Sequence, residues 1–379
     1  MIDYQEDWLI LTFLKWRGSV AGRACCFAVP ATLLALGLLI MDDEDPMIRL
    51  DSQLHDFSSG SVWSALTGSL FLLIGFRTNR AMARFWEGTG LMHQMRGEWF
   101  DTVSNCVTFS VSARAKKPEE VMKFRHTLVR LMSLAHGNAL EEISDHQFTL
   151  RTIDPGGLDP AVLKFLRETH DDYNFNKVEV NLHLIQTLIT QANANGLTQV
   201  PPPVLSRVYQ TISRGFVNLL NTKKITDTKF PYPYVQLLIL LMTSFSFFTP
   251  IVLTTMIKNK AVAMAVTFLP VYAVASLYYI AVELENPFGK DANDLPLEHF
   301  QAEMDNCLLM LLHPEADSVP TVRANCEMDF QTLMNEFQPN CYRTDHGSKL
   351  NQPRARVSIA GSFRVETILR STANVEVIN

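Results

Sequence analysis

FPYPYVQLLILLMTSFSFFTPIVLTTMI, running from Phe230 to Ile257, contains no Asp, Glu, Lys or Arg. At 28 residues it exceeds the roughly 20 apolar residues that cross a bilayer as a helix. A short Lys258-Asn259-Lys260 turn follows, and then a second charge-free stretch from Ala261 to Val282, so the pair predicts two spans joined as a tight hairpin. Two more stretches of the same kind lie near the N-terminus, Ala24 to Met41 and Phe57 to Phe76. Together they take 88 of the 379 residues, which excludes a wholly soluble protein. The chain as a whole is nonetheless 47% hydrophobic and 19% charged, an ordinary balance, so large aqueous parts must offset the spans.

The pattern divides the chain into an N-terminal segment with spans one and two (1–76), an aqueous region (77–229), spans three and four (230–282) and a C-terminal region (283–379). Lys and Arg flanking the spans set a direction, because basic residues stay on the cytoplasmic side. Ten of them lie before span one, after span two, before span three and after span four, against three in the other two loops. Both termini and residues 77–229 are therefore expected to be cytoplasmic, with the plasma membrane as the default location and an organelle such as the thylakoid as the alternative. The first residues carry Asp3, Glu6 and Asp7, which fits neither a secretory signal nor an acid-poor transit peptide. Net charge is −6 with no basic run, which argues against nucleic acid as a partner. The six cysteines show neither a metal spacing nor a disulfide framework.

Outside the spans no stretch alternates like a strand, so the fold class is all-α. No proline interrupts Arg77 to Arg114, which predicts that span two continues into the aqueous region as one helix. Pro118-Glu119-Glu120 opens another, with Val121, Phe124, Leu128 and Leu131 on one face and an end near Gly137. Asp154 to Gly157 is a turn, and Asp159-Pro160 caps a short helix reaching about His170. Val178 to Asn193, Pro203 to Asn221 and Leu297 to Leu312 complete the set, and the polar tail beyond His346 is expected to be loop.

Three groups of residues carry a functional signal. Gly68, Leu72 and Phe76 recur every four residues and form one stripe of span two, either as plain packing or as a pore lining that gates by dewetting. Arg77, Arg80 and Arg84 share a face just beyond the span, either anchoring it to phosphates and Glu87 or attracting anions. Asn286-Pro287-Phe288-Gly289 forms a turn with free carbonyls, and Asp291 and Asp294 follow as hard oxygen donors three apart, a spacing suited to calcium with backbone ligands. Asp294 equally suits the N-cap of the next helix. No EF-hand, nucleophile elbow, zincin motif or phosphate loop is present, so an enzyme has no support. His93, His126 and His183 are scattered without partners in sequence.

Phe76-Arg77-Thr78-Asn79-Arg80 with Arg84-Phe85-Trp86-Glu87-Gly88, the upstream Lys15-Trp16-Arg17-Gly18-Ser19, and Glu285 to Gly289 with Asn293-Asp294-Leu295-Pro296-Leu297 resemble, in order and spacing, the bestrophin family of anion channels. The resemblance covers Trp8 to Leu312. It implies a homopentamer in the bilayer around a central pore, a helical cytosolic vestibule and passive conduction of chloride, bicarbonate or nitrate. It places the hydrophobic neck at Gly68, Leu72 and Phe76, where the first two are smaller than their usual counterparts and imply a wider neck. A second constriction would lie near the start of the Pro203 to Asn221 helix. The resemblance also implies a calcium clasp at Asp291 and Asp294, with backbone ligands around Asn286 and in the first few residues, although Lys290 and Ala292 stand where the animal proteins have acids. Two rivals remain at the level of sequence: a membrane-anchored scaffold, and a coupled transporter, which would place an ionisable residue inside a span.

Overall fold

The computed structural model describes residues 16–44, 61–144 and 149–337, and among them every regular element is helical. In chain order the long elements are α1 (Ala21–Glu44), α2 (Ser61–Arg114), α3 (Pro118–Ile143), α4 (Pro160–Tyr173), α5 (Lys177–Ala194), α6 (Pro202–Asp227), α7 (Tyr232–Met256), α8 (Lys260–Glu285), α9 (Leu297–Met310) and α10 (Phe330–Phe337). Short 3-10 turns occupy Pro155–Gly157 and Pro314–Asp317. The chain falls into two units, Met1–Ser318 and Val319–Asn379. In the second, Asp329 accepts hydrogen bonds from the Thr332 N–H and hydroxyl at the start of α10.

Among the described residues three helices are long and apolar enough to cross a membrane: α1 over Ala21–Asp42, then α7 and α8. The beginning of the second charge-free stretch, 57–60, lies outside the described residues, as do Lys15, the acidic loop around Arg49, the first residues assigned to calcium and the tail beyond His346. From Ser61 onward that stretch is part of α2, whose 54 residues reach about 80 Å at 1.5 Å per residue. A hydrocarbon layer takes roughly 30 Å of that length, so the unbroken helix is long enough to reach from a membrane well into water. Pro30, Pro250 and Pro270 sit inside α1, α7 and α8. Such prolines are tolerated in membrane helices because neighbouring groups take over the freed carbonyls. The hairpin between α7 and α8 is as short as its sequence requires, and Asn259 caps α8 by accepting from the Ala261 and Val262 N–H groups.

Two cores follow from this layout. Leu70 and Ile74 of α2 pack with Ala28, Leu238, Met242 and Val274 in the membrane bundle. Farther along the same helix, Met92, Met95, Trp99, Val103 and Cys106 enter a larger core with α3, α5, α6 and α9. Burial there pushes the Cys106 thiol up to about 12, so it behaves as a small apolar side chain. Gly215 of α6 lies against the Trp99 indole, where a Cβ has no room, and the Trp99 N–H donates to the Ile212 carbonyl at 3.4 Å.

The structure moves two predicted boundaries substantially, and one of them is the end of α6, which lies at Asp227, six residues past Asn221. α3 does not end near Gly137; it runs six residues farther, to Ile143. Gly137 is a contact point, since a Cβ there would stand 2.7 Å from Thr152 Cγ2. The cap at Asp159 holds, with its carboxylate accepting from the Ala161 N–H at 2.8 Å.

Candidate functional site

The stripe at Gly68, Leu72 and Phe76 faces away from the subunit. Leu72 is 71% exposed and Phe76 44%, and nothing lies within 4 Å of where a Gly68 Cβ would point. The opposite side of the same turns, Leu70, Ile74, Arg77 and Ala81, is buried. Apolar side chains this exposed need lipid or another copy of the chain as their surroundings. Within one subunit the stripe is therefore not internal packing.

The three arginines separate. Arg77 turns inward to 4% exposure and pairs with Glu285 Oε2 at 2.9 Å. Its guanidinium also lies over the Tyr278 and Phe230 rings, at 4.8 and 5.5 Å from their centroids. Glu285 Oε1 accepts the Phe230 N–H at 2.9 Å, so one carboxylate ties the end of α8 to the approach of α7 and to α2. Arg84 donates to the Thr228 carbonyl at 2.8 Å and to the Ile225 carbonyl, satisfying the last turn of α6. Arg80 alone stays exposed, stacked on the Phe76 ring at 5.3 Å. The expectation that the three arginines share one free face is thus corrected: only Arg80 keeps it, because the other two are held by partners more than 140 positions away in the chain.

Behind the stripe, the turn after α8 is built around Phe288. This ring is fully buried, and it rests where Gly88 of α2 leaves space: a Cβ there would approach Phe288 Cζ to 2.9 Å. The Leu295 N–H donates to the Pro287 carbonyl and closes the turn. Asp294 Oδ2 accepts the Asp291 N–H at 2.7 Å. Burial, above all, lifts the Asp294 carboxyl from 3.8 to about 6. Asp294 therefore caps the turn and not α9, whose N-cap is Pro296 without a side-chain cap. Asn293 fastens the turn to Gly18 O and Glu283 Oε2, both at 2.8 Å, and Glu283 also pairs with Arg23 of α1. Asp291 and Asp294 are brought together, but among the described residues no group of three or more His, Cys, Asp or Glu converges to hold a metal. A calcium here would have to draw most of its six to eight oxygens from backbone carbonyls.

A buried polar cluster joins α3 to α9. His136 Nδ1 meets Gln301 Oε1 at 2.7 Å, Gln301 donates to Asp305 at 2.9 Å, and the Ser133 hydroxyl donates to Asp305 at 2.6 Å. Burial lowers His136 to about 4, so the ring is neutral, and burial raises Asp305. None of these residues stood out in the sequence, since the bonds that join the two helices link residues 165 or more positions apart. The only local signals were a histidine inside an apolar face and a glutamine and an aspartate four apart on α9.

The profile described as Bacterial/Fungal Bestrophin protein matches residues 1–309. A voltage-dependent anion channel-forming protein of Synechocystis sp. is 26% identical over 294 residues, covering 75% of this chain and 85% of its own. One of the same description from Salmonella typhi is 24% identical over 294 residues, covering 78% and 88%. Among solved structures, a bacterial bestrophin homologue from Klebsiella pneumoniae superposes with a TM-score of 0.60 at 18% identity, over 75% of this chain and 97% of that one.

Proposed function

The chain belongs to the bacterial/fungal bestrophin family, and we infer that it is a membrane channel through which chloride and other small anions pass passively. The observation that carries this reading is the outward stripe of Gly68, Leu72 and Phe76 on a helix whose farther half buries Met92, Met95, Trp99, Val103 and Cys106. One copy presents one such face and encloses nothing. Copies related by an axis along the membrane normal would supply the rest of a ring, and family membership supports five. Leu72 and Phe76 would then form an apolar neck that an anion crosses partly dehydrated, with the positive edge of the Phe76 ring turned to it. Arg80, beside Phe76, would raise the local anion concentration at the aqueous end of the neck. Val204, 39% exposed at the start of α6, is the apolar side chain best placed for a second constriction.

The absence of Asp, Glu, Lys or Arg from the four charge-free stretches supports a passive pore over a coupled transporter. The basic flanks support cytoplasmic termini and a cytoplasmic helical body. Calcium at Asn286, Asp291 and Asp294 is a further part of the proposal, resting on the joined carboxylates and nearby carbonyls. Reconstitution in planar bilayers tests the main reading: reversal potentials should follow the chloride, nitrate or bicarbonate gradient and ignore a cation gradient. Native mass measurement in mild detergent should give five copies. A pentamer without conductance would favour a scaffold, and a conducting monomer would overturn the neck assignment.

A further inference from the structure

A cavity of about 340 Å³ opens between α3, α4 and α5, remote from the stripe and the turn. Its size falls within the roughly 300–1,000 Å³ of small-molecule sites. Asn181 contributes to its lining, is fully buried, and has no hydrogen-bond partner for either Oδ1 or Nδ2. Buried amides are otherwise satisfied almost without exception, because an orphaned donor and acceptor lose their water for nothing. Asn138, on the facing helix, also lines the space, and its side chain makes no hydrogen bond among the described residues. Leu134, Leu163 and Leu166 supply an apolar wall. Arg167 and Lys177, neither of them in an ion pair among the described residues, bring positive charge to the lining, and Asp171 is its one acid.

We propose that this cavity binds an anion whose neutral end carries an amide-like donor–acceptor edge, the chemistry of a nucleoside monophosphate. An asparagine amide pairs with such an edge in two bonds, one donated and one accepted, which would satisfy both orphaned atoms of Asn181 at once. A flat ring fits the leucine wall. The phosphate would meet Arg167 and Lys177, the latter in the first turn of α5. Asp171 would accept from sugar hydroxyls.

Isothermal titration of the purified full chain in detergent tests this with adenosine and uridine monophosphates, alongside ribose 5-phosphate and inorganic phosphate. At least one of the two nucleotides should bind at least tenfold more tightly than ribose 5-phosphate. Asn181→Leu, of similar shape, should lose that binding at least tenfold while melting no lower than the wild type without ligand. Arg167→Ala, at an exposed position that leaves folding intact, should weaken the nucleotide and ribose 5-phosphate alike by about tenfold. No heat with either nucleotide, equal binding of ribose 5-phosphate, or unchanged affinity in both variants would overturn the proposal and leave the cavity to water.

Discussion

The two halves of α2 are one unbroken helix with opposite ways of disposing of apolar side chains. Between Leu66 and Phe76 the helix leaves Leu66, Phe71, Leu72 and Phe76 exposed. Between Met92 and Cys106 it buries Met92, Met95, Trp99, Val103 and Cys106 to within 1% of completely. Hydrophobicity is similar at these positions, so the difference is topological. The second half is surrounded by α3, α6 and α9 of its own subunit, whereas the first has α7 and α8 on one side only. A half-covered apolar helix is complete only with lipid or neighbouring subunits, and that incompleteness is what makes a shared pore feasible. Fold and function are thus divided along a single helix: the far half holds the subunit together and the near half is left available.

Replacing Trp99 attacks the covered half directly. Trp99→Ala should cost about 3–5 kcal/mol, the range for emptying a fully packed aromatic site. It also leaves the Gly215 contact void and the Ile212 carbonyl without its N–H partner. Unfolding in detergent followed by far-ultraviolet circular dichroism should show a fall in stability far larger than for any residue on the exposed stripe. A loss below 1 kcal/mol would mean that the two halves are less different than their burial implies.

Arg77 marks the seam between the halves, and its truncation should rank next. Arg77→Ala leaves Glu285, 18% exposed, with no cation and should cost about 3 kcal/mol, near the lower bound for breaking a buried pair. Arg77→Ala with Glu285→Gln should recover part of that, because the uncompensated charge is gone while the bond from the Phe230 N–H is kept. Equal stability of the single and double variants would show that the guanidinium acts only through the Tyr278 and Phe230 rings.

How much of this contrast sequence could convey depends on distance along the chain. Spans one, three and four, the unbroken helix past Arg77 and the Asp159 cap are local patterns of charge and proline, and each has its counterpart in the structure. The inward turn of Arg77 is set by Glu285, 208 positions away, and no spacing rule reports such a partner. Gly137 misled for a related reason: a glycine inside a helix signals an end in one dimension and a close contact in three. Asp294 does not cap α9 as its position suggested; the N–H that it accepts belongs to Asp291 within the turn. His136, Gln301 and Asp305 became a cluster only when α9 packed on α3.

Acid titration sharpens the comparison by acting mainly on the covered half. His136 is lowered from 6.5 to about 4 by burial, with its Gln301 bond opposing and Arg96 assisting. Between these values the unfolded chain binds the proton and the folded one does not, so stability falls as pH drops from 6.5 to 4, by up to roughly 3 kcal/mol. Asp294, raised to about 6, has the opposite sign: it favours the folded state when protonated, and that contribution is lost as pH rises from about 4 to 6. Asp305, also raised, works in the same direction as Asp294. Asp294→Asn should therefore steepen the acid destabilisation of the wild type, and His136→Gln should flatten or reverse it. Parallel curves for all three proteins would show that these groups do not govern the response.

The exposed half should give the smallest change in stability and the most direct change in function. Leu72 is 71% and Phe76 44% exposed within the subunit, so truncating either removes little intramolecular contact. Leu72→Ala with Phe76→Ala should shift subunit unfolding by less than about 0.5 kcal/mol, as surface substitutions do. The same pair should widen the apolar neck, weaken dewetting and raise resting anion current in bilayer recordings, with the pentamer retained. Phe76→Ala alone also removes the ring under Arg80, so its effect on anion-over-cation permeability should exceed that of Leu72→Ala alone. The two readouts must diverge for the argument to stand. If current and stability fall together, the stripe is packed in the assembled protein and belongs with the covered half; unchanged current with unchanged stability would place the stripe against lipid, away from any pore.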